Sequence, residues 1–180
     1  VSGVSDITAI ASGQAHIIAL KSDGTVWAWG WNYKGQLGDG TTTNRSIPAQ
    51  VIGLSDVTAI AGGGIHTIAL KSDRTVWAWG YNIYGQLGNG TTTDSSAPVQ
   101  VSGLIGVTAI AGGDYHTLAL KSDGTVWAWG NNTYSQLGDG RGSGYDNSTP
   151  VQVSGLSDVT AIASGEKHGL ALKSDGTVWA

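Results

Sequence analysis

The chain has 180 residues, 40% of them hydrophobic, with 9 Lys+Arg against 13 Asp+Glu, a formal net charge of -4 and no cysteine. That is enough apolar material for a core, while the acidic balance leaves no clustered Lys and Arg for a phosphate backbone or anionic lipid, and the lack of thiols excludes disulfides and thiolate metal sites. No run approaches the roughly 18 apolar residues of a membrane helix, and the abundance of Gly, Thr, Ser, Asn and Trp indicates a turn-rich all-β chain with no nucleic acid partner and no membrane insertion.

In chain order, the first elements soon repeat. The segment beginning at Ile7 returns from Val57, from Val107 and, cut short, from Val159, and His16, His66, His116 and His168 set the period at 50, 50 and 52 residues. Such self-similarity describes units that cannot hide their apolar faces alone and must stack on one another. The chain reads as one repeat domain over 1–180, with units at approximately 1–50, 51–100, 101–152 and a shortened 153–180.

The second unit shows the elements most clearly. Val57-Thr58-Ala59-Ile60-Ala61 alternates β-branched and small residues, Gly62-Gly63-Gly64 breaks it, and His66-Thr67-Ile68-Ala69-Leu70 resumes, which predicts two strands joined by a tight turn. Ser-Asp-Gly-Thr follows in the other units, as at Asp23-Gly24, Asp123-Gly124 and Asp175-Gly176, and Asp-Gly between apolar runs is a hairpin signal. Arg74 replaces that glycine, and its side chain costs on the order of 1 kcal/mol if the backbone there turns left-handed.

The third strand, Thr75 to Gly80, has Trp77 and Trp79 on one face and Val76 with Ala78 on the other. With both faces apolar, the sheet must be sandwiched, and Trp77 is expected over small residues of an adjacent unit. A glycine-punctuated loop anchored by Leu87 leads to a short outer strand at Pro98-Val99-Gln100-Val101, where proline fits an edge. No helical periodicity interrupts this pattern, so each unit is a four-stranded meander, and radial repetition makes a β-propeller. At a 50-residue period the chain holds about 3.6 units, and the fourth stops in mid-strand at Trp179-Ala180. The expected fold is an incomplete β-propeller with an apolar blade face at each end, either closed by a second copy or part of a longer chain.

The run His-Thr-Leu-Ala-Leu-Lys-Ser-Asp-Gly-Thr-Val-Trp-Ala-Trp-Gly-Asn-Asn-Thr-Tyr-Ser-Gln-Leu-Gly-Asp-Gly, from His116 to Gly140, resembles the regulator-of-chromosome-condensation repeat, and the resemblance covers the whole chain. It implies a propeller, usually of seven blades, each with four antiparallel strands. It also implies two kinds of role, a non-catalytic scaffold such as a secreted β-lactamase inhibitor that uses aromatic loop residues, or nucleotide exchange on a small GTPase with chromatin binding; a structural assembly through blade faces and the edge strand at Trp179 is a separate reading of the incomplete units. Exchange in the family depends on a wedge inserted in one blade, and chromatin contact on basic regions. This sequence shows neither, so no such residue is carried over.

Equivalent histidines around a ring could share a metal, but no carboxylate or cysteine companions accompany them, and a repeated buried residue bonded to a neighbouring turn explains them better. The Asp-Gly and Asn-Gly pairs at 39–40, 89–90 and 139–140 lack the alternating ligands of a calcium loop. The only glutamate, Glu166, has no carboxylate partner, and no serine sits in a nucleophile elbow, so no enzyme and no cofactor are expected.

Positions that vary between units are free to contact something. They are the turn before each histidine, the loop after each Trp-Gly and the inserted loop around Tyr145, with Trp31, Tyr33, Tyr81, Tyr84, Tyr115, Tyr134 and Tyr145 as candidate protein-binding residues. Val178 and Trp179, at the edge of the fourth unit, are candidates for self-association. The reading is a non-catalytic scaffold, extracellular or at a cell surface, that binds a protein through its loops. The alternatives are a homo-oligomeric ring or filament and an exchange-factor-like regulator.

Overall fold

Alternation of β-branched residues with alanine, broken every five or six residues by glycine or Ser-Asp turns, leaves the backbone only short extended segments that must pair with their sequence neighbours. The computed structural model describes residues 3–180, and Val1 and Ser2 lie outside the described residues. Its strands are β1 (Ile7–Ser12), β2 (His16–Lys21), β3 (Val26–Gly30) and β4 (Arg45–Gln50), then β5 (Val57–Gly62), β6 (His66–Lys71), β7 (Val76–Gly80) and β8 (Ser95–Gln100). The third unit gives β9 (Val107–Gly112), β10 (His116–Lys121), β11 (Val126–Gly130) and β12 (Asn147–Gln152), and the fourth gives β13 (Val159–Ser164), β14 (Gly169–Lys173) and β15 (Val178–Trp179). Each unit is one antiparallel meander in chain order, four-stranded in the first three and three-stranded in the last. The fold is therefore all-β, an incomplete propeller.

The outer strand of the second blade runs from Ser95 rather than from Pro98, with Gly80 opposite Ser95 and Trp77 opposite Gln100. Pro98 is tolerated because β8 is the sheet's last strand. Inner strands carry a register shift between Val57 and Ala59, and at that irregularity the Thr58 hydroxyl donates to the Leu70 carbonyl at 3.2 Å.

The blades meet face to face. Trp79 and Ala69 of the second blade join Ile18, Leu20, Val26 and Ala28 of the first in one cluster, with Trp77 packed against it. Trp129 and Ala119 repeat the arrangement on Ile68, Leu70, Val76 and Ala78. Large indoles thus oppose alanine and valine, which lets twisted sheets approach without voids. At the axis the turns between first and second strands are chained by backbone hydrogen bonds: Gln14 to Gly64 at 3.0 Å, Gly64 to Asp114 at 3.1 Å and Asp114 to Glu166 at 2.9 Å. At the ends of the arc Ile7, Ile10 and Ile17 on one side, and Leu170, Leu172, Val178 and Trp179 on the other, are exposed.

Candidate protein-interaction site

The loop after each third strand is organised by one buried asparagine. Asn32 donates from Nδ2 to the carbonyls of Thr41 (3.0 Å) and Thr43 (3.1 Å), and its Oδ1 accepts from the Leu37 amide at 2.9 Å. Asn82 and Asn132 do the same with Leu87 and Leu137. Their own amides are held by Asn44, Asp94 and Asp146 at 2.7–2.8 Å. With the asparagine's polar groups spent internally, the loop is a rigid bracket, and the side chains that point away from it are presented at little entropic cost.

Those side chains form an aromatic strip across the blades. Trp31 and Tyr33, 58% and 49% exposed, meet edge to face at 5.9 Å. Lys34 places Nζ 4.8 Å over the ring of Tyr81 and 2.9 Å from Asp94. The hydrogen bond to Asp94 raises the Lys34 pKa, which holds the cation in place over the ring. Tyr81 packs against Tyr84 at 6.4 Å and Tyr115 at 6.0 Å, while Tyr84 and Tyr115 are 5.3 Å apart. Burial raises the pKa of both Tyr81 and Tyr115. Beyond this cluster Tyr134, 62% exposed, lies under Lys167 at 5.2 Å, and Tyr145 is 65% exposed on the inserted loop.

The candidate aromatics thus separate into two kinds. Trp31, Tyr33, Tyr134 and Tyr145 are open to a partner, whereas Tyr81, Tyr84 and Tyr115 are half-buried against one another, across the boundary between the second and third blades. Lys34, Asp94 and Lys167 complete the strip and were not singled out from sequence. The recurrence of Asn or Asp at 44, 94 and 146 was the available signal for the bracket. Val178 and Trp179 are exposed on the last strand, where Trp179 Nε1 donates to Thr177 Oγ1 at 3.2 Å.

The histidines bond across blade junctions rather than to neighbouring turns. His16 Nε2 lies 2.9 Å from Thr67 Oγ1, His66 Nε2 3.0 Å from Thr117 Oγ1, and His116 Nε2 3.1 Å from Ser164 Oγ, while His168 is exposed. Each buried ring sits over a glycine because there is no room for a side chain: a Cβ on Gly63 or Gly113 would fall 2.0 Å from the ring. Burial lowers the pKa to about 4 for His16, about 3 for His66 and about 4 for His116, so the rings are neutral. Among the described residues no group of three or more His, Cys, Asp or Glu could hold a metal ion. At the axis mouth Gln14 hydrogen-bonds Asp114, whose pKa is raised by burial and by Glu166.

Over residues 1–180 the chain matches the family model described as the RCC1-like domain. It is similar to yeast RCC1 (Prp20) in its structure with Kap60 bound, with a TM-score of 0.83 and 26% identity over 99% of this chain and 44% of that one. A second structure, of Prp20p from Saccharomyces cerevisiae, studied for binding to Gsp1p and histones, gives 0.82 and 26% over 99% and 46%. Human WBSCR16 gives 0.85 at 24% identity over 96% and 46%, which speaks to fold alone. In sequence, 45 residues are 44% identical to the ultraviolet-B receptor UVR8 of Arabidopsis thaliana, covering 25% of this chain and 10% of the receptor. The chain spans less than half of each of these solved chains, and its match a tenth of the receptor.

Proposed function

The chain belongs to the RCC1-like domain family, and from that premise we propose that it is a non-catalytic scaffold, outside the cell or at its surface, that binds a protein partner through its loop face. The observation that carries this is the strip of Trp31, Tyr33 and Tyr134 with Lys34 and Lys167, its aromatics and Lys34 held on loops braced by the buried Asn32 and Asn132. Rigid exposed aromatics beside fixed cations make binding hot spots, because little entropy remains to be lost on contact. Yeast RCC1 binds Kap60 in one of the similar structures, and protein binding is the property we transfer. The extracellular placement rests on composition. Nucleotide exchange has no residue of this chain to rest on.

The test is affinity capture with the chain and with a Trp31→Ala/Tyr33→Ala/Tyr134→Ala variant. We expect the variant to melt within about 0.5 kcal/mol of the parent, as surface changes do, and to lose a protein that the parent retains. Equal retention by both overturns the reading.

A second reading, assembly of copies through the blade faces, is favoured by the exposed Ile7, Ile10 and Ile17 at one end and Leu170, Leu172, Val178 and Trp179 at the other. Stacked head to tail, His168 would meet Ile17 where the first two junctions provide the Thr67 and Thr117 hydroxyls, and Ser12 where the third provides Ser164. Mass measured across a wide concentration range decides it: a constant monomer mass ends this alternative.

A further inference from the structure

Four phenol hydroxyls meet on one side of the loop face. Tyr81 and Tyr84 stand on the bracket after β7, Tyr115 on the turn between β9 and β10, and Tyr33 on the bracket after β3. The rings of Tyr81, Tyr84 and Tyr115 lie 5.3–6.4 Å apart and are inclined to one another by 51–87°, so they present alternating faces and edges rather than a flat surface. Burial raises the pKa of Tyr81 and Tyr115, and the Tyr84 and Tyr33 phenols raise both further, so the hydroxyls lie near one another and keep their protons. Among the described residues no hydrogen bond reaches any of these hydroxyls, and none of the four is sealed from solvent.

The acceptors around them are already taken. Asp94 receives the Asn82 amide on Oδ1 at 2.8 Å and Lys34 Nζ on Oδ2 at 2.9 Å, and the Thr91 and Thr93 carbonyls receive Asn82 Nδ2 at 3.1 and 3.0 Å. The Ile65 and Tyr115 carbonyls take the amides of Tyr81 and Asn131, and Asp114 Oδ1 accepts from Gln14. What the patch offers is ring surface, phenol O–H groups and the ammonium of Lys34. Tyr81 is kept there at a cost. In the third unit Gln136 Nε2 donates to Asn131 Oδ1 at 2.9 Å, whereas in the second Tyr81 takes the place of Asn131 and Gln86 Nε2 is buried without a partner. A buried donor left unpaired destabilises the loop, so packing of the bracket does not account for the ring, whereas contact with something outside does.

We propose, on the reading that the loop face binds a protein, that the segment taken at Tyr33, Tyr81, Tyr84 and Tyr115 is proline-rich and held as a polyproline II helix. Such a helix has no internal hydrogen bonds and turns its carbonyls outward, and each proline removes an N–H that would need an acceptor here. Its pyrrolidine rings pack on the tyrosine faces, and the phenol O–H groups and Lys34 Nζ donate to its carbonyls. Because the segment is extended before it binds, it loses little freedom on a surface that is itself rigid. Other conformations fit less well. A strand needs an open sheet edge, and these tyrosines stand on loops and a turn; an α-helix spends its carbonyls internally and leaves the O–H donors without acceptors.

The probe is a fluorescein-labelled deca-proline peptide, with an alternating Gly-Ser peptide of the same length as its control, titrated into the chain and followed by fluorescence anisotropy and amide NMR. We expect saturable binding of deca-proline, at least about tenfold tighter than of the control, with amide shifts at residues 33–34, 81–85 and 114–116. Tyr81→Phe/Tyr84→Phe/Tyr115→Phe keeps the rings and removes only hydroxyls without a partner in the free chain. Its melting midpoint should match the parent's while deca-proline binds at least about tenfold more weakly; if the variant melts early, the amide map of the unmodified chain decides. Absence of saturation, equal binding of the Gly-Ser peptide, full binding by the Tyr→Phe chain, or shifts away from these residues would each overturn the inference. Capture of a protein that depends on Trp31, Tyr33 and Tyr134, with no binding of deca-proline, overturns it too and leaves the protein-binding reading in place.

Discussion

Arg74 is the clearest case of a single residue out of step with its repeat. Its φ is +64°, beside +78° at Gly24 and +77° at Gly124, so the hairpin keeps its left-handed turn and the arginine absorbs the strain. At the glycine positions a Cβ would sit 3.2 Å from the Cα of Asp56 or Asp158, and the residue that stands at that place for Arg74 is Gly106 of the third unit. Arg74→Gly should raise stability by about 1 kcal/mol, read as a higher melting midpoint; an unchanged or lower midpoint would argue against the strain. Thr117 works in the opposite sense, because its hydroxyl is shared between the His66 ring and the Gln86 carbonyl. Thr117→Val keeps the shape, leaves the His66 ring without its partner and leaves the Gln86 carbonyl only the Trp129 indole as donor, which should cost about 1–3 kcal/mol in a denaturant titration. Strain at residue 74 was legible in the sequence as a broken Asp-Gly rule. The link from His66 to Thr117 was not, because it joins residues 51 apart, and no local pattern encodes which unit a side chain faces.

Among the elements, the third strand and the loop after it do most to lock one blade to the next. Trp129 is fully buried, and Gly88 beneath it has φ +68°. Trp129→Ala removes an indole from a junction and should lower stability by about 3–5 kcal/mol, whereas Trp31→Ala, on the exposed bracket, should stay within about 0.5 kcal/mol. Comparing the two by chemical denaturation checks the assignment: a large loss from Trp31→Ala would make that side chain part of the core. Period-2 alternation placed Trp77 and Trp79 on one face, but not the difference between them. Trp79 is fully buried, whereas Trp77 is partly buried, with Nε1 donating to Thr75 at 3.2 Å and Lys71 5.8 Å over its ring. The difference arises from position across the junction, where Gln36 meets only the second tryptophan.

Across the whole molecule one buried histidine sits near each junction, so acid acts on all of them together. Folded pKa values of about 4, 3 and 4 lie below the ordinary 6.5, so the unfolded chain binds protons that the folded chain does not. Stability is fully present above about pH 6.5 and falls as pH drops through the window down to about 4, by at most about 1.4 kcal/mol per pH unit for each ring. Melting midpoints from pH 8 to pH 4.5 should stay level and then fall steeply below pH 6.5; a flat profile through that range would mean the rings are not buried neutral. The Asp23, Asp73, Asp123 and Asp175 carboxylates, whose pKa values are lowered by hydrogen bonds from the threonine two residues on, add to the loss only at still lower pH.

The sequence alone determined the repeat, the strands, the hairpin turns and the two apolar faces of each sheet, because period, turn chemistry and two-sided hydrophobicity are local properties read within about 50 residues. It also marked the aromatic loop positions. Only the tertiary structure decided that Tyr81, Tyr84 and Tyr115 turn toward one another while Trp31, Tyr33, Tyr134 and Tyr145 face solvent. Near-identical units carry near-identical local instructions. Their differences in exposure come from which blade, if any, lies against each face.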